Sequence, residues 1–110
     1  MNWIPLKDIN DIEKIKQDSI AKAQVIFKHS TRCSISSMAK SRLDRSSIPK
    51  DVDFHYLDLI AHKALSAAVA QQFSVHHESP QVLVIKNGEC VYDESHTGIS
   101  MDEIEEIAKK

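Results

Sequence analysis

A chain of 110 residues has room for one folded domain of ordinary size and not for two. Hydrophobic residues make up 42% and charged residues 27% of it, which is typical of globular proteins and excludes a disordered or fibrous chain. The formal net charge of -2 at pH 7 creates no overall positive field that would attract nucleic acid or an anionic membrane. We therefore expect a single domain over residues 1–110 that binds neither.

The N-terminal segment has no basic stretch leading into an apolar run, and no window approaches the roughly 20 apolar residues of a membrane span. The two cysteines, Cys33 and Cys90, are too few for a disulfide framework in a chain long enough to bury a core. These patterns predict a cytoplasmic protein whose thiols are reduced.

Helical and extended patterns alternate in the first half of the chain. Residues 9–15 place isoleucine at every third position behind Asp8, which can cap a helix. The run 23–27 is short and rich in branched and aromatic side chains, which is typical of a buried strand that ends at a polar segment. A helix is predicted to begin at or just after Cys33. Its apolar face should consist of Ile35, Met38, Ala39 and Leu43.

The second half continues this alternation and adds a hairpin. Within residues 53–59, apolar side chains occur at both even and odd positions, which predicts a strand buried on both faces. The alanine-rich segment 65–73 has helical spacing and high helix propensity. The runs 81–86 and 89–93 flank Asn87-Gly88, a strong signal for two antiparallel strands joined by a tight turn.

The closing segment from residue 100 to residue 110 predicts a last helix, because Ser100 and Glu103 have the spacing of a capping box. The predicted element order is α-β-α-β-α-β-β-α. Two strands joined through a helix should be parallel by right-handed crossover, with the hairpin added antiparallel. We therefore expect an α/β fold with a central four-stranded mixed sheet flanked by helices.

Cys33 is the candidate catalytic residue, because it falls where a buried strand ends and a helix begins. The amides of the first helical turn and the neighbouring Arg32 favour a thiolate there, and Ser34 and Ser36 add hydroxyl donors close to the sulfur. The polar surroundings argue against a buried, inert thiol. Cys90 lies inside a hairpin strand, which predicts simple packing.

The six histidines raise the alternative of a metal site. His29 with Cys33, or His76 and His77 near Cys90, offer possible ligands. Neither set has the repeated Cys/His spacing of a structural zinc site. We expect no metal, and we expect His29 to neighbour or tune the thiol.

The segment 28–36 (KHSTRCSIS), the Ser79-Pro80 step and the hairpin after it together resemble thioredoxin-like redox proteins. More narrowly they resemble the monothiol bacilliredoxins of the bacillithiol redox system, over nearly the whole chain. The resemblance implies a thioredoxin-like fold, a cis bond before Pro80, and attack by Cys33 on mixed disulfides that join bacillithiol to cytosolic proteins. It also implies substrate contacts by Thr31, Ser79 and Pro80, with bacillithiol as cosubstrate and no bound cofactor.

The residues around the cysteine bear on two alternatives to monothiol exchange. Ser36 stands where dithiol relatives carry a second cysteine, so dithiol exchange is not expected and a monothiol oxidoreductase is predicted. The alternative is a non-enzymatic thioredoxin-fold adaptor, or an iron-sulfur carrier with Cys33 as ligand. Cluster-carrying relatives have Cys-Gly-Phe-Ser, whereas residues 33–36 read Cys-Ser-Ile-Ser, which weakens the carrier hypothesis.

Charge is unevenly distributed along the chain. Residues 28–50 contain six lysines or arginines and one acidic residue, whereas residues 87–108 contain seven acidic residues and no lysine or arginine. The basic segment favours an anionic small thiol as substrate. Two ordinary solvated faces would explain the same pattern.

Overall fold

The computed structural model describes the whole chain, Met1–Lys110. None of its helices combines the length and apolarity that crossing a lipid bilayer requires. In chain order the elements are β1 (Ile4–Pro5), α1 (Ile9–Asp18), β2 (Ala23–His29), α2 (Ser34–Arg45), β3 (Val52–Asp58), α3 (Lys63–Gln72), β4 (Gln81–Lys86), β5 (Glu89–Ser95), a 3-10 turn (His96–Gly98) and α4 (Met101–Lys109).

The strands form one mixed sheet in the order β1-β3-β2-β4-β5. β2 pairs in parallel with β3, which it reaches through the crossover helix α2, and β4 pairs antiparallel with both β2 and β5. The α/β fold is confirmed, but the sheet has five strands rather than the four predicted. The added strand β1 has only two residues, too few to show an alternating pattern, and it forms because β3 offers an open edge.

Both faces of the sheet are covered by helices. All seven residues of β2 are buried, as expected for a central strand between two layers. Residues of α1 and α3 fill the core on one face, and residues of α2 and α4 fill the core on the other. The first core contains Leu6, Ile12, Ile15, Ile26, Leu57, Leu65, Val69, Phe73, Leu83 and Ile85, and the second contains Val25, Phe27, Ala39, Leu43, Phe54, Val82, Val84, Ile99, Met101 and Ile104.

Two of the predicted local signals are confirmed. Asn87 and Gly88 both have positive φ, at 54° and 78°, as a two-residue hairpin turn of this kind requires. The Asp8 side chain accepts a hydrogen bond from the backbone N–H of Asn10 at 2.8 Å, and Asp11 completes a capping box.

The capping box predicted for the last helix is wrong. Ser100 precedes α4 with an extended backbone, but its side chain makes no capping hydrogen bond. The carboxylate of Glu103 instead accepts a hydrogen bond from the Tyr92 hydroxyl on β5. The Glu103 side chain therefore contacts β5 instead of capping its own helix.

The inner face of α2 also differs from the predicted one. Its buried residues are Ser36, Ala39 and Leu43, whereas Ile35 is 45% and Met38 67% exposed. The helix is rotated so that a serine faces the sheet, because that serine is held by polar groups at the end of β2. Two apolar side chains are consequently left on the surface of the first turns of α2.

A decrease in stability is expected as the pH falls below about 6.5, the ordinary pKa of histidine. His55 is buried on β3 with Nε2 2.7 Å from Oε1 of Gln24, and burial lowers its pKa. Below this pH the unfolded chain binds a proton at His55 more readily than the folded chain does. The contribution of neutral His55 to the free energy of unfolding is therefore complete above this pH and is lost below it. Urea unfolding at pH 7.5 and 5.5 measures the change.

The matched control for this prediction is His55→Gln, which removes the titrating ring. The variant should lose less stability between the two pH values than the wild type does. Part of the loss should persist, because burial also lowers the pKa of His29. Equal unfolding free energies of the wild type at both pH values would contradict the prediction.

Candidate active site

Cys33 occupies the position just before α2, with an extended backbone at φ -109° and ψ 122°. A turn connects it to the end of β2, closed by a hydrogen bond from the Cys33 N–H to the Ser30 carbonyl at 3.2 Å. The side chain is half-buried and does not cap the helix. The predicted junction of strand and helix is therefore confirmed, and Cys33 directly precedes the first turn of α2, whose backbone amides have no partner within the helix.

The hydroxyl of Ser36 connects the first turn of α2 to the strand. It is fully buried, accepts a hydrogen bond from the Ser30 N–H at 2.9 Å, and lies 2.7 Å from Nδ1 of His29. These bonds fix the turn that presents Cys33. The predicted role of this hydroxyl as a donor to the sulfur stays a prediction.

Three more of the residues predicted to stabilise the thiolate or bind substrate lie on the surface around the cysteine. Thr31, Arg32 and Ser34 are exposed. Arg32 and Ser34 flank the cysteine directly in the chain, and Thr31 lies in the turn before them. All three are accessible to a molecule that approaches the thiol.

His29 is the last residue of β2 and is buried. Its ring stacks on Phe27 with centroids 5.8 Å apart and contacts Tyr56 at 5.6 Å. Burial, with the charge of Lys40 as a second cause, lowers the pKa of His29. A neutral imidazole therefore lies beneath the active-site turn, within hydrogen-bond distance of the Ser36 hydroxyl.

The bond between Ser79 and Pro80 is cis, as the resemblance implies. Pro80 is buried and immediately precedes β4, whose first residue, Gln81, pairs with Lys28 near the end of β2. The proline therefore lies at the same edge of the sheet as the turn that leads to Cys33. The Ser79 hydroxyl is buried without a hydrogen-bond partner.

The side chain of Gln81 forms hydrogen bonds with the backbone of the segment that precedes Pro80. This side chain is fully buried. It donates to the His76 carbonyl at 2.9 Å and accepts from the Glu78 N–H at 3.3 Å. Sequence reasoning missed this residue, although a glutamine that opens an otherwise apolar strand is a usable signal.

Lys28 was also missed, because the strand was predicted to end before it. The structure extends β2 through Lys28 and His29, and both are buried, since neighbouring strands cover this end of β2 on both sides. The Lys28 ammonium donates to the Ser66 carbonyl at 3.1 Å and to Nδ1 of His77 at 3.1 Å. Burial lowers the pKa of Lys28 to about 8.

Cys90 packs against the first core and donates a hydrogen bond from its thiol to the Tyr92 carbonyl at 3.3 Å. Burial raises the pKa of the Cys90 thiol. It pairs with Ile85 on β4, four residues along that strand from Gln81, which corresponds to about 13 Å at the rise of a β-strand. Cys90 on β5 thus packs against the core, as predicted, beside the end of β4 that is away from the proline.

The candidate metal sites are not assembled. No group of three or more His, Cys, Asp and Glu side chains is close enough together to hold an ion. His77 is bonded to Lys28, and His29 is bonded to Ser36.

A parallel strand-helix-strand unit, a cysteine at the start of its helix and a cis proline at the start of the next strand define a thioredoxin-like redox protein. Solved thioredoxins show the same fold. The thioredoxin of Trypanosoma brucei brucei is 12% identical with a TM-score of 0.72 over 99% of this chain and 93% of its own. That of Fasciola hepatica is 18% identical with a TM-score of 0.70 over 96% and 95%.

The model of the family described as monothiol bacilliredoxin BrxC matches residues 4–104, and the chain belongs to this family. A solved structure described as a candidate oxidoreductase with a thioredoxin fold is 30% identical, with a TM-score of 0.82 over 97% of this chain and 93% of its own. Family and fold together indicate a thiol redox role.

Proposed function

We propose that this protein removes bacillithiol from mixed disulfides with cytosolic proteins, and that it uses Cys33 alone. The observation that supports the proposal is the distance between Cys33 and the second cysteine of the chain. The position one helical turn after Cys33 holds the buried hydroxyl of Ser36, and Cys90 lies on β5, where it pairs with Ile85 at the end of β4 away from Pro80. An external thiol must therefore complete the cycle.

The reaction consists of two exchange steps. The Cys33 thiolate attacks the bacillithiol sulfur of the mixed disulfide, the protein sulfur leaves as a thiolate and takes up a proton, and a disulfide between Cys33 and bacillithiol forms. A second bacillithiol, as its thiolate, then attacks the bacillithiol sulfur of that disulfide. Cys33 leaves as a thiolate and the oxidised bacillithiol dimer is released, so the substrate protein's sulfur is reduced to a thiol while the second bacillithiol is oxidised to a disulfide.

The surroundings of Cys33 support access by a protein substrate. Ile35 and Met38 present apolar surface on the first turns of α2, next to the exposed Arg32. The backbone groups of Ser79 make no hydrogen bond within the chain. A substrate segment can therefore pair with that backbone in the manner of an added strand.

The test compares bacillithiol and glutathione attached to the same carrier protein. We expect the bacillithiol mixed disulfide to be cleaved faster by about tenfold, which corresponds to about 1.4 kcal/mol of differential transition-state binding. Stopped-flow or quenched kinetics of carrier-thiol release measure both rates. Equal rates would refute the bacillithiol preference.

The same preparation tests the alternative function. If Cys33 were a cluster ligand, protein purified without oxygen would show the visible absorbance of an iron-sulfur cluster and no thiol release. That result would replace the proposed exchange activity with a carrier function.

A further inference from the structure

The buried ammonium of Lys28 has no carboxylate partner. It is 0% exposed and its two hydrogen bonds go to a neutral carbonyl and an imidazole. Burial of a cation without an opposite charge is costly, and well-packed apolar residues in such places are often neutral or stabilising. Packing therefore does not account for a lysine here.

A groove lies against the two groups that Lys28 contacts. It has a volume of about 540 Å³ and lies between the end of β3 and α3, with Lys63, Ser66 and His77 as its polar lining. Its remaining walls are the apolar side chains of Leu59, Ile60 and α3 alanines, and no acidic residue lines it. We call it the α3 groove.

The α3 groove lies at the active-site edge of the sheet. The N–H of Leu59 donates to the His29 carbonyl at 2.9 Å, so the groove starts beside the end of β2, where the turn to Cys33 begins. His77 belongs to the segment that leads into Pro80. The α3 groove and the turn to Cys33 therefore lie at the same end of the sheet.

Lys28 determines which ring nitrogen of His77 carries the proton and can donate a hydrogen bond. An ammonium has only donors, so Nδ1 of His77 accepts its hydrogen bond. Burial and the charge of Lys28 lower the pKa of His77, and the neutral ring therefore carries its proton on Nε2. The α3 groove thus combines an N–H donor, the Lys63 ammonium and a buried positive charge behind them.

We propose that the α3 groove binds the carboxylate end of the small thiol, and that Lys28 is the positioning residue that makes the groove selective for an anion. This inference rests on the proposed exchange function. The apolar walls can pack against the rest of the thiol, and Lys63 and the His77 imidazole, which line the groove, can contact its carboxylate, with the buried Lys28 behind them. Charge complementarity selects this ligand, since the lining carries only positive and neutral groups.

The test uses two small thiols of the same shape, N-acetylcysteine and its primary amide, each joined by a disulfide to one carrier peptide. The rate of transfer to Cys33 is divided by the rate with 2-mercaptoethanol, which corrects for the intrinsic reactivity of each disulfide. Wild-type protein should favour the carboxylate by about tenfold in this corrected ratio. The preference should appear in KM.

Two variants locate the preference. Lys28→Met and Lys63→Gln should each reduce it at least threefold, whereas Lys109→Gln, which removes an equal charge on α4, should leave it unchanged. Lys28→Met should also unfold at higher urea concentration, which separates loss of anion selectivity from loss of structure. If Lys28→Met does not fold, Lys63→Gln decides the question.

The outcomes separate this inference from the proposed function. Transfer of both thiols at equal corrected rates in the wild type would refute the groove and leave the exchange activity standing. An equal loss for both thiols in Lys28→Met would make that lysine merely structural. Transfer of neither thiol would refute the exchange function and the inference with it.

Discussion

Cys33→Ser is expected to abolish turnover, whereas Cys90→Ala should leave it nearly intact. The hydroxyl cannot replace the thiolate as the attacking group. Cys90 lies on β5 beside the end of β4 that is away from Pro80, and its thiol donates a hydrogen bond to the Tyr92 carbonyl, so we expect it to take no part in exchange. Steady-state release of a small thiol from a carrier protein measures both variants.

The trapped intermediate provides the decisive readout for this prediction. After reaction with a mixed-disulfide substrate, intact mass should show one small-thiol adduct on Cys33 in the wild type and in Cys90→Ala. An internal disulfide would instead appear as a loss of two protons. If the wild type accumulates a bond between Cys33 and Cys90 and Cys90→Ala stops turnover, the monothiol mechanism is wrong.

Ser36→Cys should convert the trapped species from an external adduct to an internal disulfide. Residue 36 lies one helical turn from Cys33, as in redox Cys-x-x-Cys motifs, so a thiol there can displace the bound small thiol. Intact mass after a single turnover measures the ratio of the two species. Persistence of the external adduct alone would show that a sulfur at this position cannot reach Cys33.

Ser36→Ala is the matched control, because it removes the hydroxyl without supplying a thiol. It should keep the external adduct. Its free energy of unfolding should also be lower by about 1–3 kcal/mol in urea unfolding, since the buried Ser30 N–H and the His29 ring then lack their partner. The comparison separates the new chemistry in Ser36→Cys from the loss of this hydrogen-bonded contact.

Much of the candidate site was predictable because its signals are local. A buried apolar run followed by polar residues and a helical pattern placed Cys33 at a junction of strand and helix. Asn87 and Gly88 fixed the hairpin by their conformational preferences. The cis bond before Pro80 came from the family resemblance and not from residue patterns, since most X-Pro bonds are trans.

The misses involve contacts between different segments of the fold rather than patterns within one helix or strand. Lys28 is polar, so its own position indicated the end of a strand, but strands on both sides bury it. Ile35 and Met38 have helical spacing with Ala39, yet they are exposed because the contacts of Ser36 with the end of β2 set the rotation of α2. Apolar periodicity within the helix does not show these contacts.

The sequence by itself determined the order of the main elements and the place of the reactive cysteine, because backbone preferences and apolar periodicity act over a few neighbouring residues. The tertiary structure alone decided the fifth strand, the inner face of α2 and the partners of Lys28 and Gln81. The fifth strand and the burial of Lys28 depend on which strands lie side by side, whereas the face of α2 and the partners of Gln81 depend on how a helix and a loop pack against the strand ends. Sheet pairing joins residues tens of positions apart, and a buried charge or hydroxyl finds its partner only after that pairing has formed.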